Sequence, residues 1–232
     1  MNVAMVIAGG NGQRMNQHIP KQFINVDDKP VIIYTLEAFE RHPNIDEIVV
    51  VCIKGWETIL RAYAKQFHIT KLAWIAPGGK NGQESIKNGV ELMKDKYSDD
   101  DVVLIHDAIR PMVSQEIISD CISTCCVYGS AITVIPCQEA MLLTKDRKTS
   151  DQLIERSDLM RTQTPQAFSL GRLAWAHEEA KRRAIDNSIA TCTLMVELGQ
   201  EVHFSAGSEK NIKLTTMEDI DIFKALLLSQ KK

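Results

Sequence analysis

The residues best suited to chemistry open the chain. An apolar run at 2–8 leads into Ala8-Gly9-Gly10-Asn11-Gly12-Gln13-Arg14-Met15, and Ile19-Pro20-Lys21-Gln22-Phe23 follows shortly after. Three glycines let a backbone turn tightly and bring bare N–H groups up to a phosphate chain. Arg14 and Lys21 add the positive charge that a triphosphate needs. The spacing differs from the phosphate loop G-x-x-x-x-G-K-[ST], and an arginine replaces the third glycine of the dinucleotide fingerprint. Taken alone, such a turn is equally a simple tight turn. A second feature is Asp107, just past the apolar run at 101–105. It stands at the carboxyl end of an expected strand, where α/β sheets bind ligands. One aspartate together with nucleotide phosphates is a suitable Mg²⁺ site, because Mg²⁺ prefers oxygen ligands and keeps several waters. His106 is read as a packing or supporting histidine, and Trp56, Trp74 and Trp175 as packing groups.

The elements that must position these residues follow an alternating rhythm. Short β-branched runs at 2–8, 46–53, 71–76, 101–105, 130–136 and 200–204 predict strands. Helices are expected near 30–42, 55–67, 84–95, 114–128, 170–183, 188–198 and 216–229. Ile86, Val90 and Met93 form one buried helical stripe. Thr216-Met217-Glu218-Asp219 is a capping pattern in which Thr216 satisfies the Asp219 amide. The alternation predicts an α/β fold, a mainly parallel sheet flanked by helices, in one domain spanning 1–232. Residues 137–163 break the rhythm with a polar run at 144–151, read as a β-hairpin arm that leaves the sheet and returns at Pro165.

Composition narrows the function classes. Hydrophobic residues make up 44% and charged residues 25%, with a formal net charge of −3, so the chain is globular and lacks the basic surplus of a nucleic-acid binder. Any anion site must therefore be built from a few placed cations. The six cysteines form no C-x-x-C pair and are expected to be reduced, structural thiols. The N-terminal apolar run is too short to span a bilayer, and a cytoplasmic protein without membrane attachment is expected.

Ala-Gly-Gly-x-Gly-x-Arg-Met followed by Pro-Lys-Gln resembles the sugar-nucleotidyltransferase superfamily and, more narrowly, the methylerythritol phosphate and ribitol phosphate cytidylyltransferases. The resemblance continues through His106-Asp107-Ala108-Ile109-Arg110-Pro111, Gln163-Thr164-Pro165-Gln166-Ala167-Phe168 and Asn211-Ile212-Lys213-Leu214-Thr215, in the family's order and over essentially the whole chain. It implies a Rossmann-like nucleotidyltransferase fold, CTP and a small polyol phosphate as substrates, Mg²⁺ as cofactor, and a homodimer formed through the 137–163 arm. Carried over residue by residue, it sets Ala8, Gly9 and Gly10 against the cytidine, and Gly12, Arg14 and Lys21 on the triphosphate. Gly78, Gly79 and Ser85 would read base and ribose. Asp107 would face Mg²⁺ and the acceptor, with Thr164 also on the acceptor side. Arg156 would reach the acceptor phosphate across the dimer, and Lys213 would face the α-phosphate.

Three departures remove polar groups that could hold a polyol, and the first also bears on the grip on the nucleotide. Gly82 stands where the family places an arginine, Ala140 where it places a threonine, and Ile189 where it places a polar motif. A pocket that loses hydroxyl-binding groups should prefer a different polyol. The expected reaction therefore yields a CDP-polyol and pyrophosphate from a glycerol- or ribitol-type phosphate used in a surface polymer. The alternatives are the methylerythritol phosphate reaction of isoprenoid synthesis and a non-catalytic nucleotide-binding module.

Overall fold

In the computed structural model, residues 1–10 and 19–230 are described. Among them, seven strands form one sheet in the order β11-β7-β10-β6-β1-β4-β5. They are β1 (Asn2–Ala8), β4 (Glu47–Cys52), β5 (Leu72–Pro77), β6 (Val102–Asp107), β7 (Ser130–Pro136), β10 (Met160–Ser169) and β11 (Phe204–Ala206). Every neighbouring pair is parallel except those of β10, which runs antiparallel to both β6 and β7. Two small hairpins lie outside the sheet, β2 (Asn25–Val26) with β3 (Lys29–Pro30), and β8 (Leu142–Leu143) with β9 (Gln152–Leu153).

Alternation along β1 divides the core in two, because successive strand side chains point to opposite faces. Ala4, Val6 and Ala8 pack with α1 (Val31–Glu40), α2 (Glu57–Gln66) and α4 (Gln115–Tyr128). Val3 and Met5 pack with α3 (Gly82–Lys94), α5 (Leu170–Arg182) and α6 (Thr191–Glu197). A third cluster around Val31, Leu214 and Phe223 seats α7 (Met217–Gln230) beside the turn that follows β6. The expected stripe holds, with Val90 and Met93 buried and Ile86 packed against the same core. The helix ends follow their caps. Ser114 accepts from the Ile117 amide, and Gly129 closes α4 in the left-handed conformation that suits glycine.

The structure differs from the sequence expectation in three places. Residues 160–169 form a ten-residue strand inside the sheet, where the arm was expected merely to return at Pro165. Its stretch Arg-Thr-Gln-Thr-Pro-Gln lacks hydrophobic alternation, and the Thr164–Pro165 peptide is cis. The strand is held by side-chain hydrogen bonds instead, with Gln163 to both backbone groups of Ser208 and Gln166 to the Cys192 amide. The strand expected at 200–204 begins only at Phe204, because Arg172 holds the Gln200 side chain and the Glu201 carbonyl outside the sheet. The helix expected at 188–198 starts at Thr191, since the Ser188 amide is drawn to the Gln83 side chain. All six cysteines are free thiols.

Candidate active site

A cleft of about 550 Å³ opens at the carboxyl ends of β1 and β6. Of the residues singled out in the sequence, Ala8, Gly9, Gly10, Lys21, Gly79, Ser85, Asp107 and Lys213 line it. Gly78 lies directly beneath: a Cβ added there would sit 3.0 Å from the Gly9 Cα and 3.1 Å from the Cys52 carbonyl oxygen. Two glycine backbones thus touch at the floor, leaving no room for a side chain on either. Gly12 and Arg14 lie outside the described residues.

One wall is the glycine turn and its supports. Gln22, buried in the short 3-10 turn Lys21–Phe23, donates from Nε2 to the carbonyls of Ala8 (2.7 Å) and Gly10 (3.2 Å). Those two bonds bracket Gly9 and fix the direction in which the turn leaves β1. Facing it, the loop 78–81 is shaped by Ser85, whose hydroxyl accepts from the Gly79 amide (2.9 Å) and donates to the Asn81 carbonyl (2.8 Å). Asn81 in turn caps α3 by accepting from the Glu84 amide at 2.8 Å. Lys80, Asn81 and Gly82 complete this rim.

The opposite wall is electrostatic. Asp107 Oδ2 lies 3.0 Å from Lys213 Nζ and 3.2 Å from Arg110 Nε. Burial works against its ionisation, but the two cations outweigh it and hold the carboxyl below its ordinary range. Lys213 is brought there by the segment before α7. Leu214 donates to the Ile109 carbonyl, and Asp219 Oδ2 accepts from the amides of Thr215 and Thr216. The expected cap is present, with the Asp219 amide donating to Thr216 Oγ1 at 3.3 Å. His106 is wholly buried, and burial pushes its pKa down to about 4. It is a supporting residue, as expected.

Thr164 does not line the cleft but stands behind Asp107, accepting from the Asp107 amide at 3.0 Å. Arg156 lies apart, at the base of the arm, where its guanidinium donates to the Gln138 carbonyl at 3.0 Å. Within one chain it does not reach the cleft. Ala140 is exposed on the arm, and Ile189 is 94% exposed in a loop tied to the start of α3 by Asn81 and Gln83. Neither residue lines the cleft of its own chain. Gln22, Arg110 and Asn211 belong to the motifs quoted from the sequence, yet their roles emerge only from their partners.

A family model described as IspD: 2-C-methyl-D-erythritol 4-phosphate cytidylyltransferase matches residues 2–229. A protein of Lacticaseibacillus paracasei named ribitol-5-phosphate cytidylyltransferase is 47% identical over 98% of both chains. One of the same name from Vibrio parahaemolyticus is 41% identical over 100% of this chain and 98% of its own. A 2-C-methyl-D-erythritol 4-phosphate cytidylyltransferase of Clostridium botulinum is 34% identical over 97% of each. Among solved structures, the 4-diphosphocytidyl-2C-methyl-D-erythritol synthase of Anaerococcus prevotii superposes with a TM-score of 0.83 at 25% identity, covering 98% of this chain and 96% of its own. With a match along nearly its full length, a glycine turn at the head of β1 and the Rossmann-like sheet of those structures, this chain belongs to the IspD cytidylyltransferase family.

Proposed function

We propose that this protein joins CTP to ribitol 5-phosphate, or a closely related polyol phosphate, giving a CDP-polyol and pyrophosphate for a surface polymer. The observation that carries the reading is a single cleft with a phosphate-binding glycine turn and Lys21 on one side and the Asp107–Lys213 pair on the other. The choice of acceptor draws on relatives 35–47% identical that are named for ribitol 5-phosphate, against 34% for those named for methylerythritol phosphate.

In this reaction an oxygen of the acceptor phosphate attacks the α-phosphorus of CTP, and the bond from that phosphorus to the bridging oxygen breaks. The electron pair leaves with pyrophosphate. A phosphate monoester is largely dianionic near pH 7, so no general base is required. What the site must do is hold two anions together and neutralise the charge that builds on the pentacoordinate phosphorus. Lys21, Lys213 and, from the segment outside the described residues, Arg14 are assigned that task. Ala8, Gly9, Gly10, Gly12, Gly78, Gly79 and Ser85 bind the nucleotide, and Asp107, supported from behind by Thr164, meets the acceptor.

Among the described residues no group of three metal-ligating side chains exists, and the cleft offers one carboxylate. That donor set suits Mg²⁺ brought in on nucleotide phosphates, with Asp107 as its protein ligand. When bound, the ion would supply further neutralisation of the phosphates. The arm carries Leu142 and Leu153 at 66% and 83% exposure, apolar surface that a second copy of the chain would cover. A homodimer so formed would bring Arg156 to the partner's cleft. No described helix is long and apolar enough to cross a membrane, in keeping with a cytoplasmic enzyme drawing on free CTP.

The test is pyrophosphate release from CTP and Mg²⁺ with ribitol 5-phosphate, glycerol 3-phosphate and methylerythritol 4-phosphate in parallel. Preference for ribitol 5-phosphate supports the reading, and preference for methylerythritol 4-phosphate replaces it. No release with any acceptor points to a nucleotide-binding module.

A further inference from the structure

Behind Asp107, four residues from three chain segments close a ring of hydrogen bonds. His106 Nε2 meets the Arg110 carbonyl at 3.1 Å, and Arg110 Nη1 donates to the Asn211 carbonyl at 2.8 Å. Asn211 Nδ2 donates to the Thr164 carbonyl at 2.9 Å, and Thr164 Oγ1 returns to His106 Nδ1 at 3.1 Å. Chemistry fixes the direction of every bond. A carbonyl can only accept, so the imidazole proton sits on Nε2. A ring carrying its single proton on Nε2 accepts at Nδ1, and the Thr164 hydroxyl then donates to it. The Thr164 oxygen is thereby left to accept, and it takes the Asp107 amide. His106 and Asn211 are both fully buried, and the imidazole packs edge-on against Phe39.

Asp107 hangs from this ring at two points, its amide on Thr164 and its carboxylate on Arg110. Lys213 is two residues from Asn211 and reaches the same carboxylate oxygen. We propose that His106 is a positioning residue for the acceptor half of the reaction, holding Thr164 and Arg110 so that Asp107 and Lys213 keep a fixed separation. The inference rests on the cytidylyltransfer reading above and adds a residue outside the cleft.

Three substitutions in the full-length protein test this. H106F keeps a ring against Phe39 and removes both hydrogen bonds, whereas T164V removes only the hydroxyl and T164S restores it. For folded variants, checked by circular dichroism and thermal melting, kcat with CTP and ribitol 5-phosphate should fall on the order of 10²-fold, the scale of an ångström of misplacement. The KM for ribitol 5-phosphate should rise in both, CTP affinity measured calorimetrically without acceptor should hold, and T164S should recover most of what T164V loses. Unchanged kcat in T164V, or a loss that falls equally on CTP affinity, overturns the proposal. If the wild type itself releases no pyrophosphate, the functional reading has failed instead. The ring is then judged by long-range ¹H–¹⁵N spectra, where an Nε2–H tautomer of His106 upholds it and an Nδ1–H tautomer refutes it.

Discussion

Gly82 offers a gain-of-function test of the nucleotide side. It is the first residue of α3 and lines the cleft, and a Cβ built there meets no atom within 4 Å. An arginine therefore enters without repacking. Two stability effects oppose each other in G82R. Replacing glycine within a helix gains about 0.5–1 kcal/mol, and a cation at a helix N-terminus loses about 0.3–1 kcal/mol. The melting temperature should scarcely move. For binding, a hydrogen bond to a charged group contributes about 1.5–3 kcal/mol, and ordering a long side chain costs about 0.5–1.5 kcal/mol. The remainder, about 1 kcal/mol, corresponds to roughly fivefold tighter CTP. Calorimetric titration of CTP at low and high ionic strength reads this directly, and the gain should shrink with salt because the rim is open to solvent. Unaltered affinity at low salt, or a gain indifferent to salt, would refute the placement of this rim beside the bound nucleotide.

Three further outcomes are expected. In G78A the new Cβ presses on backbone at Gly9 and Cys52, which cannot rotate aside, so urea unfolding should show a loss of about 1–3 kcal/mol and CTP binding should weaken. G10A, whose Cβ meets nothing within 4 Å, should leave stability unchanged in the same assay. K213M removes one of the two cations on Asp107, and pyrophosphate release should fall on the order of 10²–10³-fold; a loss under tenfold would remove Lys213 from the reaction. His177 is buried with no hydrogen-bond partner for Nε2 among the described residues, and burial lowers its pKa from 6.5 to about 4. The unfolded chain takes up that proton first as pH falls. The associated stability is complete above pH 6.5 and lost progressively towards pH 4, about 3 kcal/mol at about 1.4 kcal/mol per pH unit. H177L should flatten the pH dependence of the urea midpoint over this range while changing little at pH 7.5, and an unflattened curve would contradict it.

Much of this architecture could be read from local pattern. Strand β1 and Asp107 at the end of β6 follow from short continuous apolar runs, and the helices fall within a few residues of their expected bounds. What escaped the sequence was decided at long range. Strand β10 is polar along its first half, and its place depends on Gln163 and Gln166 bonding Ser208 and Cys192, which lie 45 and 26 residues away. No hydropathy window registers such contacts. Arg110 and Asn211 sit in plainly visible motifs, yet their pairing spans 101 residues. Ile189 is a further case: the sequence shows a polar motif replaced there, while the tether of its loop to the start of α3 through Asn81 and Gln83 spans more than 100 residues and leaves no local pattern.

The division of labour in the cleft follows from the order of the strands. The chain passes from β1 through β4 to β5 on one side, then returns to lay β6 against the other edge of β1 before continuing to β7. Loops leaving β1 and β6 must therefore part above their shared boundary, and an open α/β sheet binds ligands where its strand order reverses. The half built from β1, β5 and the start of α3 is rich in glycine backbone, as close approach to a nucleotide requires, with Lys80, Asn81 and Ser85 as its side chains. Everything contributed by β6, β10 and the segment before α7 is charged and held by side-chain hydrogen bonds. A phosphoryl centre lying over the boundary would meet Lys21 and backbone amides from one half and Lys213 from the other. Because strands β6 and β10 run in opposite directions, Thr164 can approach Asp107 from the neighbouring strand, and that contact is what an all-parallel sheet would not supply at this edge. The antiparallel insertion that sequence patterning missed is thus the feature that ties the catalytic carboxylate of the proposed reaction to its support.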